Sequence, residues 1–506
     1  VLPLQFHLFW IEFILYYFFI TLYRSFCESD VNIDEIEVVG PGLKPDKIVM
    51  PARYFYIYFR GRNYTGDKSL SEELFEVDIH GNTRDGRNCQ LWKNILNRRD
   101  SSVIVRYKLY ETCYNFYINI LYNSLQVPGS PYFFKGPIQP EDCYCPKKDI
   151  KKWLEDYECN TNYNQLQIDL NKFHNVNFDT FYKKAVNRFN NSQQSSVCNY
   201  VVKSNKVYRT CYGQHVGFKI FMDAILISLS RKVVLPDFEI FSNLGDWPLI
   251  KKENINDIFP MFSWCGSKET SDIVMPTYDL TEASIQCMGR VSLDMLSVQG
   301  NIERKWSEKE EKCFWQGRDS SPERLQLISI ARKHPELINA SLTNFFFYKN
   351  EEHKYGPKAK HVSFFKFFDY KYQLNLDGTV AAYRFPFLLI GDSVVFKQDS
   401  PYYEHFYSDL TPWVHYVPIK ADLSNLVELL KWAKNNDDKV REISKAGRAY
   451  AENNLLPQHV FCYHATLFNE WSKKLISPVE IREGMELVEE SDSRGCHCDN
   501  ASKDEL

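Results

Sequence analysis

Methionine is scarce, at 7 of 506 residues, and neither sign of charge dominates: 61 Lys and Arg face 65 Asp and Glu, for a net charge of -4. Without a basic surplus the chain lacks the electrostatic footprint of a nucleic-acid-binding protein. It also lacks any short-period repeat or long low-complexity tract, so repeat architectures are set aside. Zinc-finger spacing is absent too: Cys143-x-Cys145 and Cys496-His497-Cys498 are spaced too closely. No well-placed Asp-x-Asp pair offers ligands to a metal ion. What the chain has in quantity is aromatic side chains, 32 Tyr and 36 Phe, in a composition that is 44% hydrophobic. That length and composition can bury more than one core, enough for about two to four domains.

Residues 1–28 read as a targeting segment. From Leu2 to Leu22 the run is nearly all apolar, broken mainly by His7 and Glu12, and it ends near Arg24, Cys27 and Ser29. A secretory signal peptide and a short membrane anchor both fit. Glu12 near the middle is costly in a stable span and favours the cleaved signal. The chain closes on Lys503-Asp504-Glu505-Leu506, a retrieval signal for the endoplasmic reticulum that is read by the KDEL receptor. The expected compartment is the lumen of the endoplasmic reticulum, with no stable membrane span, and disulfides form there. Setting Cys27 aside leaves thirteen of the 14 cysteines, an odd number, so at least one is unpaired or intermolecular. The closely spaced pairs are then disulfides or free thiols. Sequons at Asn63, Asn190, Asn339 and Asn500 agree with a luminal protein.

Residues 30–138 alternate short β-branched and aromatic runs, such as Tyr54 to Phe59, Ser102 to Tyr107 and Tyr114 to Tyr122, with Gly, Asn and Asp turns. An all-β sandwich of about 110 residues fits that spacing. Residues 139–205 form a connector and the start of the next domain, with Phe173, Phe178 and Phe189 placed to pack short helices. Helix and strand then alternate, the pattern of doubly wound α/β folds. Residues 206–304 hold an amphipathic helix from His215 to Ser230 and a buried strand from Phe238 to Ser242. Residues 305–476 hold a second unit, with strands at Ser393 to Phe396 and Pro412 to Pro418 and helices at Leu423 to Lys434 and Val440 to Asn453. Residues 477–506 form an acidic tail that is expected to be mobile.

Three stretches carry chemistry. Phe314 to Arg324 reads as a strand, a glycine turn and a helix start: Ser320 or Ser321 supplies a capping hydroxyl, Pro322 suits the first turn, and Glu323 completes a capping box. Arg318 and Arg324 stand where free N–H groups already favour an anion, so a phosphate-bearing ligand fits; a capped helix with solvated arginines is the alternative. Asp246, in the loop after the Phe238 strand, lies where open α/β sheets hold ligands and is a candidate base, or else a turn aspartate before Trp247-Pro248. In the third stretch Asp377-Gly378 makes a turn, the small residues after it let a helix N-terminus approach a ligand, and Arg384 lies one or two turns into that helix, which Pro386 kinks or ends.

Val39-Gly40-Pro41-Gly42-Leu43 and Val127-Pro128-Gly129-Ser130-Pro131-Tyr132 resemble the signatures of a filamin-type immunoglobulin-like repeat. Asp237 to Pro248, Gly317 to Arg324, Tyr370 to Tyr372, Gly378 to Arg384 and Pro412 to Asn425 together resemble the Rumi-type protein O-glucosyltransferases, in the branch that carries a KDEL motif. The resemblance implies a GT-B-type enzyme with two Rossmann-like lobes, acceptor-side 206–304 and donor-side 305–476. It implies transfer of glucose from UDP-glucose to serine of EGF-like repeats in secreted or cell-surface proteins, inverting the anomeric centre. Asp246 then matches the base. Arg318, Arg324, Arg384 and the backbone of Thr379, Val380, Ala381, Ala382 and Tyr383 surround the leaving UDP, and Trp247, Tyr278 and Met288 lie on the acceptor side. No cofactor or metal is expected, since cationic side chains and a helix end can replace one. Shorter relatives carry Arg-Gly-Ser-Arg where this chain has Gln316-Gly317-Arg318-Asp319, so Arg318 is expected to compensate for Gln316. Two other readings stay open: a non-catalytic luminal binding or folding factor on a vestigial transferase fold, and the same enzyme using UDP-xylose.

Overall fold

Strict alternation along Phe75–Asn82, with Phe75, Val77 and Ile79 buried and Glu76, Asp78 and His80 exposed, is the signature of a strand with one wet face. In the computed structural model, which describes residues 32–59, 75–160, 162–190, 196–253, 259–286, 293–488 and 496–498, this strand belongs to an antiparallel sandwich. One sheet runs Ile36–Val39, Arg53–Phe59, Ser102–Leu109, Leu91–Asn97; the other is built around Tyr114–Tyr122, flanked by Phe75–Asn82, Leu125–Gln126 and Tyr132–Phe134. Phe55, Ile57, Val105, Phe116 and Ile118 fill the space between them, and Cys89–Cys113 is a disulfide. Gly40 is required where it stands: its φ is 143°, and a Cβ there would lie 2.7 Å from the Phe55 Cα.

The first α/β unit has a six-stranded mixed sheet in the order Ile273–Val274, Met261–Ser263, Phe238–Asn243, Val197–Lys203, Lys206–Tyr212, Glu486–Leu487. It begins at Val197, ahead of the expected boundary at 206, and its last strand comes from the segment expected to be a mobile tail. That segment is tied down: Arg482 bonds the buried Glu239 at 3.0 and 2.7 Å, and Cys496 and Cys498 form disulfides with Cys143 and Cys145. Helix Pro457–Ser472 also returns to this unit, which moves it out of the expected 305–476 block. It is buried almost all round, so it needs a core to enter; the Trp471 indole donates to the Glu239 carbonyl (2.9 Å) and Cys462 is linked to Cys159. The helix expected from His215 starts at Lys219, because Gly213 and Gly217 favour a turn there.

The second unit is a five-stranded, wholly parallel sheet in the order Ile338–Asn344, Glu310–Arg318, Tyr370–Asn375, Val394–Gln398, Val417–Ile419. The strands are buried runs, as a sheet covered on both faces requires. The chain leaves Glu310–Arg318 to one side through helix Pro322–Lys333 and reaches Tyr370–Asn375 on the other. The carboxyl ends of these two neighbours therefore flank a topological switch point, the place where such sheets take ligands. Of the expected strand Pro412 to Pro418 only the end joins the sheet, in Val417–Ile419, since Trp413 adopts φ 66° within a turn. Cys198–Cys211 is a fifth disulfide, and Cys265 and Cys313 are free and buried. Five disulfides place the folded chain in an oxidising compartment of the secretory pathway. Among the described residues no helix is long and apolar enough to cross a membrane. The signal segment 1–28, the sequons at Asn63 and Asn500, Met288 and the retrieval sequence 503–506 lie outside the described residues.

Candidate active site

A cavity of about 510 Å³ lies between the two α/β units, and Asp246 enters it from the first. Asn243, the last residue of its strand and fully buried, shapes the loop: Oδ1 accepts from the Gly245 N–H (2.9 Å) while Nδ2 donates to the Trp247 carbonyl (2.7 Å) and to Ser263 Oγ (3.1 Å). An Asn hydrogen-bonded two residues onward is an Asx-type turn, so the Asn-x-Gly spacing was a usable signal for this residue. The Asp246 carboxylate accepts from the Tyr278 hydroxyl at 3.2 Å. Its backbone carbonyl accepts from Cys265 Sγ (3.2 Å) and from the Tyr383 hydroxyl (3.3 Å), which belongs to the second unit. Burial pushes the Asp246 carboxyl above the ordinary carboxylate range, while the Tyr278 bond and the Arg318 charge oppose the rise. Asp279 shares the cavity at the start of helix Tyr278–Ile285; burial, with the charges of Glu282 and Asp246, raises it to about 7.

The opposite wall is cationic. Arg318 ends its strand exposed to the cavity. Arg324 is 6% exposed, and its guanidinium is held by its own scaffold: Nε donates to the Asp377 carbonyl (2.8 Å), Nη2 to the Leu376 carbonyl (3.0 Å), and Nη1 to the Arg318 carbonyl (3.1 Å) and Ser320 Oγ (3.3 Å). It thereby joins the two loops that leave adjacent strands. Burial, reinforced by the Arg384 charge, lowers its pKa to about 9, so it stays cationic at neutral pH. Arg384 donates through Nη1 to the Gln316 carbonyl (2.7 Å), and burial lowers it to about 10.

Two local expectations are corrected here. The capping box does not form: Ser321 holds the N-cap position, but its hydroxyl donates to the Asp377 carbonyl (3.3 Å), which the loop crossing requires. Thr379 to Tyr383 is a loop and not a helix start. The helix is Phe385–Leu389, with Arg384 at its N-cap and Pro386 in its first turn, where a missing N–H costs nothing. Gln316 and Asp319, which depart from the shorter relatives' pattern, have structural partners. Gln316 Oε1 accepts from the Val362 N–H (3.1 Å), and Asp319 accepts from the N–H groups of Phe346 (2.7 Å) and Tyr348 (2.6 Å).

Residues 155–506 match Glycosyl transferase family 90, and residues 30–133 match the Filamin/ABP280 repeat. The chain belongs to glycosyl transferase family 90. It is 48% identical to Protein O-glucosyltransferase 2 of Danio rerio, over 91% of this chain and 92% of that one. It is 42% identical to Protein O-glucosyltransferase 3 of Homo sapiens, over 93% and 94%. Protein O-glucosyltransferase 1 of Homo sapiens matches at 34% identity over 50% of this chain and 67% of its own. In this glycosyltransferase the cavity of the two α/β units is the candidate transferase cleft.

At the first unit's edge of the cleft, Trp247 is 52% exposed beside Asp246. Tyr278 is enclosed by the rings of Phe218 (4.7 Å), Phe221 (5.4 Å), Trp264 (5.9 Å) and Tyr383 (5.4 Å), which aims its hydroxyl at the carboxylate. Among the described residues no group of three or more His, Cys, Asp or Glu side chains is placed to hold a metal ion. Asp279 and the hydroxyl of Tyr383 escaped sequence reasoning because their surroundings are set where the two units meet.

Proposed function

We propose that this family 90 enzyme is a protein O-glucosyltransferase of GT-B type, with two Rossmann-like lobes, that moves glucose from UDP-glucose to a serine hydroxyl of an EGF-like repeat with inversion. The observation that carries the proposal is one cavity in which the Asp246 carboxyl, raised by burial, faces Arg318, Arg324, Arg384 and the Gly378 to Tyr383 loop. The activity in the names of relatives similar over nine-tenths of the chain supports it. The lumen of the endoplasmic reticulum is the proposed site of action, and the oxidised fold agrees with it.

In the proposed mechanism the serine oxygen attacks C1 of the sugar while Asp246 takes the hydroxyl proton, and the bond from C1 to the phosphate oxygen breaks with its electron pair leaving on UDP. Tyr278 orients the carboxylate. Arg318 and Arg384 face the diphosphate. Arg324 contributes its charge while fixing the loops around it, so the positive potential is in place before reaction and needs no reorganisation. Trp247, exposed at the rim, offers the acceptor an apolar surface, and the acceptor's approach from the first lobe brings its hydroxyl to the Asp246 side.

The test is purified protein with UDP-glucose and a folded EGF-like repeat, the product read by mass spectrometry. A hexose on serine is expected. A pentose supplied only by UDP-xylose would change the donor, and an unmodified repeat with no calorimetric UDP binding would favour a non-catalytic factor. Asp246→Asn is expected to lose about 10²–10⁴-fold in kcat while UDP affinity stays as in the unaltered enzyme. Undiminished transfer would remove Asp246 as the base.

A further inference from the structure

Four aromatic residues in a row, Phe345-Phe346-Phe347-Tyr348, follow the edge strand Ile338–Asn344 of the second unit's sheet, and they do not share one environment. Phe345 is buried in that unit's core, whereas Phe346 and Phe347 are 59% and 51% exposed, with their rings edge to face at 5.1 Å. Apolar residues scattered singly over a surface are ordinary; here two adjacent rings make one patch and forgo the burial that ordinarily stabilises them. The backbone beneath them is pinned. Asp319, fully buried, accepts from the N–H groups of Phe346 (2.7 Å) and Tyr348 (2.6 Å), and its own N–H donates to the Asn344 carbonyl (3.4 Å). One carboxylate therefore fixes the chain on both sides of Phe347 with charge-assisted bonds. Asp319 is a departure from the shorter relatives' pattern, and its effect is to hold these two rings at the surface. The patch borders the cleft. Thr343 lines the cavity and donates to the Gly317 carbonyl (3.2 Å), and the three residues from it to Phe346 span at most about 11 Å. Arg318, next to Asp319, lines the same cavity, near enough to Asp246 for its charge to act on that carboxyl. With Trp247 exposed on the first lobe, large apolar side chains stand beside the cleft on both lobes.

We propose that Phe346 and Phe347 are the second lobe's half of the acceptor-binding surface and take an exposed apolar side chain of the folded domain whose serine reaches Asp246. The proposal rests on the reading of the chain as a transferase with a protein acceptor. A compact domain of about 40 residues, the size of an EGF-like repeat, has a radius of gyration of about 9 Å and a width of about 23 Å. Such a body cannot enter a cavity of about 510 Å³. It must lie across the opening, and with its serine at Asp246 it covers the walls on both sides. Aromatic side chains held in place at low cost in conformational entropy are the anchors that protein interfaces favour.

The experiment measures transfer from UDP-glucose to a folded EGF-like repeat by the full chain, by Phe346→Ala/Phe347→Ala and by the ring-keeping Phe346→Tyr/Phe347→Tyr. The alanine pair is expected to raise the acceptor KM by about tenfold or more, while the donor KM, kcat and the calorimetric affinity for UDP stay as in the unaltered enzyme. The tyrosine pair is expected to keep an acceptor KM close to the unaltered one. Both positions are exposed, so melting temperatures are expected to agree among the three proteins. An acceptor KM that the alanine pair leaves unchanged overturns the proposal, as does an equal loss in both pairs. Sedimentation of the same proteins separates a further occupant: a dimer that the alanine pair dissolves, with the acceptor KM unmoved, assigns the rings to a second copy of the chain and overturns the proposal. An unaltered enzyme that modifies no folded repeat removes the transferase reading and this proposal with it, whereas transfer that is indifferent to the alanine pair removes this proposal alone.

Discussion

Two carboxyls, Asp246 and Asp279, share the cavity, and burial raises both. Asp246 is raised by burial, and Asp279 sits at about 7 with the Asp246 charge contributing to its rise. A base must be ionised to act, so kcat/KM is expected to fall on the acid side at a pH above the ordinary carboxylate range. Asp279 is protonated over most of that limb, so Asp279→Asn is expected to leave the limb in place, measured on a UDP-glucose transfer profile. The same residue leaves a mark on stability. Its folded pKa of about 7 exceeds the ordinary 3.8, so the folded chain holds the proton longer and stability declines as pH rises through that window. In Asp279→Asn the melting temperature is expected to lose that part of its decline between about pH 4 and pH 7. The position of Asp246 after a buried strand was legible in the chain. The value of Asp279 was not, because burial between two lobes sets it.

At the scale of elements, the loop from Leu376 to Arg384 is the joint of the site. Arg324 holds its beginning by two carbonyls, and Tyr383 near its end donates to the Asp246 carbonyl across the cleft. Gly378 leaves little room for a side chain: a Cβ would come within 3.2 Å of Arg324 Nη2 and 3.3 Å of Ser320 Cβ. Gly378→Ala is expected to push the guanidinium aside and raise the KM for UDP-glucose by about tenfold or more. Tyr383→Phe removes one neutral hydrogen bond worth about 1 kcal/mol, and kcat is expected to fall roughly fivefold with the donor KM nearly unchanged. Arg318→Ala is expected to raise the donor KM, since Gln316 is committed to the Val362 loop while Arg318 lines the cavity with its charge. The helix starting at Pro322 was readable from its proline. The loop over Thr379 to Tyr383 was mistaken for a helix because small residues suit either, and only Pro386, one position past Phe385, marks where the helix begins.

At the scale of the molecule, the filamin-like sandwich is packed into the transferase. Arg106 on its strand bonds Asp294 at 3.3 Å, with both side chains almost fully buried, and Asp294 in turn caps helix Met295–Gly300 through the Ser297 N–H (2.8 Å). Gly300 faces Leu96 of the sandwich so closely that a Cβ would stand 2.6 Å from it. Arg106→Met leaves a buried carboxylate without its partner, which costs about 3–5 kcal/mol. The single thermal transition expected of the unaltered protein is then expected to split or fall, measured by calorimetry. The sandwich itself was legible from alternation within 30–138. Its docking was not, since Arg106 and Asp294 are separated by nearly the whole first half of the fold. The pairings Cys143–Cys496, Cys145–Cys498 and Cys159–Cys462, each across more than 300 residues, were hidden for the same reason.

Helix Pro457–Ser472 and strand Glu486–Leu487 complete the first lobe, yet the chain makes the whole second-lobe sheet before either of them. During synthesis the later lobe can close first. The earlier one waits with the floor under Phe238 uncovered, and Cys159 lacks its native partner until Cys462 leaves the ribosome. An apolar surface and a cysteine without its native partner, held open together, are what luminal chaperones and disulfide isomerases bind. The order in which this protein is made is thus the reverse of the order in which its lobes can finish.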